Sequence, residues 1–242
     1  MRRERTVFAD LDAISRAAAD AIEIAAHRAV ATRGRFTLAL SGGSTPRALL
    51  QLMAAEYRAR IPWAAADLFF GDERCVPPAH PDSNFGMARD ALLQHIDGLE
   101  ARTHRIVGEL GPDVAATDYG RLLRTCFPGA DAVTFDVVLL GIGTDGHTAS
   151  LFPGSPVLDE RRHWVMPAEA PPEASTRARV TLTYPALNAA LEALILCAGA
   201  TKRPILSRLN AAGLEAEKLF PVARVRARKR VWWLIDRAAD PS

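Results

Sequence analysis

The stretch FDVVLLGIGTDGHTASLFPG, residues 135–154, joins a dense apolar run to a glycine-rich loop. The run FDVVLL has the composition of a strand that is buried on both faces of a parallel sheet. The loop after it begins G-x-G-x-x-G and carries Asp145 and His147. Two interpretations follow: the glycines bind a dinucleotide, or they shape a loop that presents His147 at the end of a strand.

A dinucleotide site needs a helix that starts within the glycines, continues through a crossover, and precedes an acidic residue at the end of the next strand. Here PGSP (153–156) stops any helix soon after it starts, and the nearby acids lie in a charged loop, DERRH (159–163). Histidine, with an ordinary pKa of ~6.5, suits proton transfer near neutral pH, and a carboxylate can orient it. We therefore interpret Asp145 and His147 as a candidate acid–base pair, with a purely structural histidine as the alternative.

On both sides of this stretch, short apolar runs alternate with segments of helical periodicity. Residues 10–33 place apolar side chains at helical spacing and are followed by Gly34, a typical helix terminator. Strands are predicted at FTLAL, DLFF, FDVVLL, HWVMP, RVTLTY, LILCAG and VWWLID, and further helices at PRALLQLMAAEY, NFGMARDALLQHI, PALNAALEA and KRPILSRLNAA. Such alternation predicts a three-layer α/β fold, with a mostly parallel sheet and helices on both faces.

Composition limits the functions of this chain. Its 242 residues are 49% apolar, enough for a sizeable core, and 30 basic against 28 acidic side chains leave a net charge of +2. This balance argues against nucleic acid or an anionic membrane as the main partner. The N-terminal MRRERTVFAD lacks the apolar segment of a signal peptide, and no later run approaches the ~18 apolar residues of a membrane span. We expect a cytoplasmic protein, a monomer or a weak homodimer.

One domain, residues 1–242, is expected, because the Pro-rich stretch PAEAPPEAST (167–176) is short and is interpreted as an inserted loop. Three widely spaced cysteines fit neither a disulfide framework nor a zinc site. Cys126 and Cys197 are predicted to be core thiols, while Cys75 lies beside a charged loop where a thiol can be exposed. No set of histidines, cysteines and carboxylates has metal-ligand spacing, so no metal is expected.

In open α/β sheets ligands bind beyond the carboxyl ends of the strands, so the loops after strands are the first candidates for a site. The loop SGGSTPR (41–47) follows FTLAL and precedes a helix with proline near its start. Gly42 and Gly43 permit a tight turn with exposed amides, and Ser44 and Thr45 add hydroxyls at a helix N-terminus, which suits a phosphate. An ordinary capped turn is the alternative.

The loop GDERCVPPAHPDSNFG (71–86) follows DLFF. It places three charged residues, Asp72, Glu73 and Arg74, directly after a buried strand. One interpretation is a solvated salt-bridge cluster. The other is an active-site loop in which Arg74 stabilises a developing negative charge.

Five motifs in order, LALSGGSTP, FFGDERCVP followed by DSN, FDVVLLGIGTDGHTASLFPG, RVTLTYPALNAA and WWLID, resemble the 6-phosphogluconolactonase family. The resemblance covers about residues 36–236. It implies a Rossmann-like sheet shared with glucosamine-6-phosphate deaminases and ribose-5-phosphate isomerases. It also implies hydrolysis of 6-phospho-D-glucono-1,5-lactone to 6-phosphogluconate in the oxidative pentose phosphate pathway, without a metal or an organic cofactor.

The resemblance also implies roles for individual residues. His147 is expected to be the general base that activates water, with Asp145 orienting it. Arg74 is expected to stabilise the lactone oxygen, and Asp72 to hold the substrate or Arg74. The phosphate is expected to lie on the 42–45 loop, between two basic side chains, Arg179 and Lys202. This transfer leaves the basic stretch RVRARKRVWW unexplained, because Arg224–Arg230 can be plain surface or add positive potential near the pocket.

Two other functions compete with the lactonase. An amino-sugar phosphate deaminase or isomerase shares the phosphate loop, but its pattern has an acid five residues after the histidine, where this chain has Phe152, and an aromatic residue in place of Arg74. A non-catalytic sugar-phosphate-binding protein shares the fold, since a fold does not guarantee a reaction. The intact His147 and Arg74 favour catalysis over such a sensor.

Overall fold

The structure, a computed structural model, describes residues 2–129 and 132–241. Its centre is a six-stranded parallel sheet in the order β1-β9-β8-β5-β2-β3. These strands are β1 (Arg2–Phe8), β2 (Phe36–Leu40), β3 (Ala66–Phe70), β5 (Val137–Gly141), β8 (Glu192–Cys197) and β9 (Arg230–Asp236). Every residue of β2 and β8 is buried, as expected of central strands covered on both faces, and so is every residue of β3 at the edge of the sheet. The predicted α/β fold with a mostly parallel sheet is confirmed.

Helices connect and cover the sheet: α1 (Leu11–Arg33), α2 (Ser44–Glu56), α3 (Asn84–Ala91), α4 (Pro112–Cys126), α5 (Tyr184–Leu187), α6 (Arg203–Ala212) and α7 (Ala216–Leu219). The bounds of α1 match the periodic stretch 10–33. The Asp10 carboxylate accepts a hydrogen bond from the Ala13 amide at its start, and Gly34 ends it with a left-handed φ of 70°. The buried side of α1 is built largely of alanine and isoleucine, which lets the helix pack close to the sheet.

A second, three-stranded antiparallel sheet was not predicted. It has the order β4-β7-β6, with β4 (Asp72–Arg74), β6 (Val165–Glu169) and β7 (Ala178–Leu182). Two of its strands, HWVMP and RVTLTY, were predicted as strands but placed in the parallel sheet, and the DER triplet was interpreted as loop. Gly71 is the junction between the sheets: its amide bonds to the Leu40 carbonyl, and its carbonyl accepts from the Leu182 amide.

Other elements also differ from the predictions. Strand β1 and helix α4 were not predicted, and the helix predicted at PALNAALEA is reduced to the single turn of α5. β1 is an edge strand with alternating exposure, and basic residues give it a weak apolar signal. α4 packs Ala115, Ala116, Tyr119 and Leu123 against its neighbours and makes most of its contacts with β6 and β7 of the second sheet.

The cysteines follow the predictions in part. Cys197 is buried, as predicted, and burial raises the pKa of its thiol to about 12. Cys126 is only half-buried, because it lies at the end of α4 rather than in the core, and Cys75 is half-buried as well. Within the described residues, no helix combines the length and apolarity needed to cross a bilayer.

Candidate active site

The loop after β5 holds Asp145 and His147 in direct contact. The Asp145 Oδ1 atom lies 2.6 Å from His147 Nδ1 and also accepts the backbone amide of His147 at 3.0 Å. Gly143 makes this pairing possible, because a Cβ at that position would lie 2.1 Å from His147 Nδ1 and 2.5 Å from Asp145 Oδ1. The loop glycines therefore make room for the pair, and the interpretation as a loop that presents His147 fits the structure.

A second glycine shapes the turn itself. Gly146 has a φ of 88°, and a Cβ there would lie 2.7 Å from the Phe220 ring. Its carbonyl accepts the amide of Val222 at 3.1 Å, which fastens the turn to the segment before β9. Nearby, Ala149 has a φ of 48°, a left-handed conformation that is unfavourable for a residue with a side chain. Such strain concentrates at functional sites.

The contact with Asp145 determines which ring nitrogen of His147 is available. Nδ1 faces the carboxylate, whereas Nε2 makes no hydrogen bond within the described part of the chain. Half-burial of Asp145 disfavours its charge, but the hydrogen bonds and the charge of His147 outweigh burial and leave the pKa of the carboxyl below its usual value. Asp145 therefore stays ionised near neutral pH and orients the ring. Phe152 packs against this ring, with the centroids 4.7 Å apart.

The alternation of side chains along β4 places the residues of the DER triplet on two different faces of the strand. Successive side chains of a strand point to opposite faces, so Asp72 and Arg74 share one face of β4 and Glu73 has the other. Glu73 is buried and accepts hydrogen bonds from the amides of Asn84 and Phe85 at the start of α3. Burial raises the pKa of Glu73, against the opposing effect of these amides. Glu73 is thus a structural anchor for α3.

Asp72 is also buried, and its partners connect three loops. Its Oδ2 accepts the Ser150 hydroxyl at 2.7 Å, and Asn84 Nδ2 donates to the Asp72 carbonyl at 2.9 Å. Asn84 in turn occupies the space beside Gly42, where a Cβ would lie 1.8 Å from its Oδ1. Ser150 and Asn84 were not among the predicted site residues. Their signal was their place in two of the quoted motifs, TAS and DSN.

Two arginines lie directly opposite each other across the second sheet. Arg74 of β4 pairs in register with Arg179 of β7. Arg179 is 8% exposed, and burial together with the charge of Arg74 lowers its pKa. In the described part of the chain neither guanidinium has an ion-pair partner, and the buried Nε of Arg74 has no hydrogen-bond acceptor. The salt-bridge interpretation of this loop is therefore wrong.

Like charges opposite each other destabilise a sheet unless something compensates them. Here both arginines border the same small cavity, of about 270 Å³. His147, Asp145 and Asp72 border it as well, and the remaining lining residues are Thr144, Ala149, Ser150, Phe152, Ala170, Pro171, Glu173 and Ala174. An anionic ligand in this cavity would meet two guanidinium groups on one side and the histidine–carboxylate pair on another.

The other predicted site residues do not line this cavity. Gly42 and Gly43 precede α2, which begins with Ser44 and Thr45, and Lys202 follows β8. Both segments lie at the carboxyl ends of β2 and β8, the two neighbours of β5 in the sheet. They therefore share the sheet edge that carries His147, and Gly42 lies beside Asn84, which bonds to Asp72 of the cavity wall.

The basic stretch before β9 lies apart from the His147 cavity. Arg224 donates to the Glu217 carbonyl, Arg226 pairs with the Glu217 carboxylate at 2.5 Å, and Arg230 pairs with Glu192 at 2.6 Å. Three arginines of the stretch border a separate depression beside Tyr184. The stretch therefore does not contribute lining residues to the candidate site. In the described ranges, no three His, Cys, Asp or Glu side chains are grouped as metal ligands.

Comparisons with known proteins agree with the motifs. A 6-phosphogluconolactonase of Nostoc sp. is 37% identical over 99% of this chain and 98% of its own length. That of Rattus norvegicus is 39% identical over 86% of this chain and 80% of its own length. The structure of the 6-phosphogluconolactonase from Trypanosoma cruzi superposes with a TM-score of 0.83, 30% identity and coverage of 98% and 96% of the two chains.

A monomeric glucosamine-6-phosphate deaminase, at 20% identity and a TM-score of 0.75, shares the fold. The family described as glucosamine-6-phosphate isomerases/6-phosphogluconolactonase matches residues 9–233. The resemblance inferred from the five motifs is confirmed, and the chain belongs to the family of glucosamine-6-phosphate isomerases and 6-phosphogluconolactonases.

Proposed function

We propose that the protein hydrolyses 6-phospho-D-glucono-1,5-lactone to 6-phosphogluconate, with His147 as the general base and without a metal. One observation carries this proposal: a single small cavity joins the Asp145–His147 pair to the cross-strand arginines Arg74 and Arg179. The relatives named above, which are lactonases, support it.

The reaction requires a base and a charge stabiliser, because a lactone is an activated ester. In the proposed mechanism His147 Nε2 takes a proton from water, and the resulting hydroxide attacks the lactone carbonyl carbon. Arg74 stabilises the negative charge that develops on the carbonyl oxygen. When the tetrahedral intermediate collapses, the ring C–O bond breaks, and His147 returns the proton to the departing ring oxygen. Asp145 stabilises the imidazolium between these two steps.

The substrate's phosphate is proposed to bind Arg179, whose guanidinium can contact two phosphate oxygens at once. The amides and hydroxyls of the 42–45 loop and the Lys202 ammonium are proposed to complete this phosphate site at the same sheet edge. Asp72, held by Ser150 and Asn84, is proposed to bind a substrate hydroxyl or to offset the charge of Arg74. Anchoring the phosphate, which lies away from the reacting carbonyl, positions that carbonyl in front of His147.

The test is the disappearance of freshly generated 6-phosphogluconolactone, with and without the protein, at a pH where spontaneous hydrolysis is slow. We expect rapid, protein-dependent loss of the lactone and no ammonia release from glucosamine 6-phosphate. Phe152 lies against His147 at the position where the deaminase pattern has an acid, and a phenyl ring cannot transfer a proton. Ammonia release comparable to lactone hydrolysis would favour the deaminase, and binding without turnover would favour the sensor.

A further inference from the structure

The segment 170–177, which connects β6 to β7, forms one wall of the His147 cavity. Four of its residues, Ala170, Pro171, Glu173 and Ala174, border the cavity. Its base is closed by a hydrogen bond from the Ala170 amide to the Arg177 carbonyl and by the exposed Glu169–Arg177 ion pair, at 2.5 Å. Residues 170–176 of the Pro-rich stretch are therefore a hairpin loop over the candidate site, whereas its first three residues, predicted as part of the loop, belong to β6.

Asp82, from the loop between β4 and α3, binds the side of this hairpin that leads into β7. Its Oδ2 atom accepts the Ser175 hydroxyl and the Thr176 hydroxyl, each at 2.7 Å. Both hydrogen bonds lower the pKa of the Asp82 carboxyl, and the bond from Ser175 has the larger effect. The carboxylate is therefore charged near neutral pH. Asp82 does not line the cavity and has no place in the proposed chemistry.

The two segments that Asp82 joins each hold one of the arginines. Arg74 Nη1 donates to the main-chain carbonyl of Asp82, and Arg179 Nε donates to the main-chain carbonyl of Thr176 at 2.9 Å. The side-chain bond between Asp82 and Thr176 therefore ties together the two carbonyls that support the guanidinium groups. Because these groups repel each other, the tie opposes their separation, and the charge of Asp82 lies close enough to favour the protonated form of Arg179.

We propose that Asp82 is a positioning residue, which forms with Ser175 and Thr176 a latch that holds the 170–177 hairpin over the cavity and positions Arg179 for the substrate's phosphate. This proposal rests on the proposed function in one respect, that the anion bound there is a sugar phosphate. The latch acts through Arg179, so it should govern substrate binding more than turnover.

Steady-state kinetics on 6-phosphogluconolactone test the latch with two variants, Asp82→Ala and the double change Ser175→Ala with Thr176→Val. We expect each to raise KM about tenfold or more, the effect of losing charge-assisted hydrogen bonds, with a smaller change in kcat. The control is Glu169→Ala, which breaks the ion pair at the base of the same hairpin and leaves the latch intact. Unchanged KM in the latch variants, or an equal rise in Glu169→Ala, would overturn the proposal.

A double-mutant cycle separates positioning from general destabilisation. In an Arg179→Ala background, adding Asp82→Ala should raise KM by much less than it does in the wild type, because the residue through which it acts is gone. Full additivity of the two changes would mean that Asp82 does not act through Arg179.

Amide hydrogen exchange of residues 174–177 tests the latch independently of enzymatic activity. In the unliganded protein we expect Asp82→Ala to speed exchange at these amides, and Glu169→Ala to do so less. If the wild type fails to hydrolyse the lactone, the proposed function fails, and this comparison alone decides whether the latch exists. Equal exchange in Asp82→Ala and the wild type would overturn the latch whatever the activity.

Discussion

The two halves of the candidate site are built in opposite ways. Asp145 and His147 are two residues apart on one loop after β5, and their contact depends on glycines of the same loop. Arg74 and Arg179 are far apart in the chain and meet only because β4 and β7 pair in register. The first half is a local structure on the parallel sheet, while the second depends on the pairing of two strands in the antiparallel sheet.

This difference predicts different sensitivities. The Asp145–His147 pair is determined by backbone conformation within a few residues, so changes elsewhere should leave its geometry intact. The arginines repel each other and are partly or fully buried, so their spacing depends on every contact that holds the two strands and the 170–177 hairpin together. We therefore expect the base to control turnover and Arg179 to control substrate binding.

Removal of the base should have the largest effect. His147→Gln is expected to lower kcat roughly 10² to 10⁴-fold, the usual contribution of a general base, because no other described side chain shares its position against Asp145. The measurement is the rate of lactone hydrolysis at saturating substrate. His95→Gln is the matched control, since His95 is exposed and lies in the short 3-10 turn after α3. A rate near that of the wild type in His147→Gln would assign the base elsewhere.

Removal of the Arg179 guanidinium, the proposed phosphate contact, should have the second-largest effect. Arg179→Ala is expected to raise KM by the equivalent of about 2 to 3 kcal/mol, or roughly 30- to 150-fold. Activity on unphosphorylated gluconolactone should barely change, since that substrate has no phosphate to bind. Arg177→Ala, which removes an exposed arginine of the same hairpin, is the control.

A comparison with Lys202→Ala shows how far the phosphate site extends. If Lys202 contacts the phosphate, its removal should also raise KM for the phosphorylated lactone alone. An equal loss on both lactones for Arg179→Ala would mean that Arg179 supports the structure and does not bind phosphate.

Asp145→Asn should have a smaller effect than loss of the histidine. The amide keeps an oxygen for the His147 backbone but lacks the charge that stabilises the imidazolium, so kcat is expected to fall about tenfold, below the range for a lost base. The check is kcat on 6-phosphogluconolactone beside that of His147→Gln. A loss as large as that of His147→Gln would mean that Asp145 does more than orient the ring.

Metal removal should have no effect at all. Prolonged EDTA treatment followed by dialysis is expected to leave kcat and KM unchanged, because the proposed chemistry uses only a histidine and guanidinium groups. The assay compares treated and untreated protein in metal-free buffer. Loss of activity that one added metal ion restores would contradict the metal-free mechanism.

Elements that depend on residues close together in the chain were predicted better than elements that depend on contacts between distant residues. α1 was predicted to within a residue because its periodicity, its N-cap and its terminal glycine are all local signals. The central strands were predicted from dense apolar runs. β4 was missed because a three-residue strand of charged residues has no apolar signal, and its alternation becomes visible only when β7 lies beside it. The single-domain prediction for residues 1–242 stays a prediction.

The sequence alone determined the elements whose energy comes from neighbours in the chain: the buried strands, the long helix and the glycine loop that brings Asp145 to His147. The tertiary structure alone decided which side chains of different segments share a cavity. Apart from its place in the RVTLTYPALNAA motif, nothing local distinguishes Arg179 from the arginines at 224–230. Strand pairing buries Arg179 beside Arg74, while partners such as Glu217 and Glu192 hold several of the others elsewhere. Side-chain charge is a property of each residue, whereas its desolvation and its neighbours depend on the folded chain.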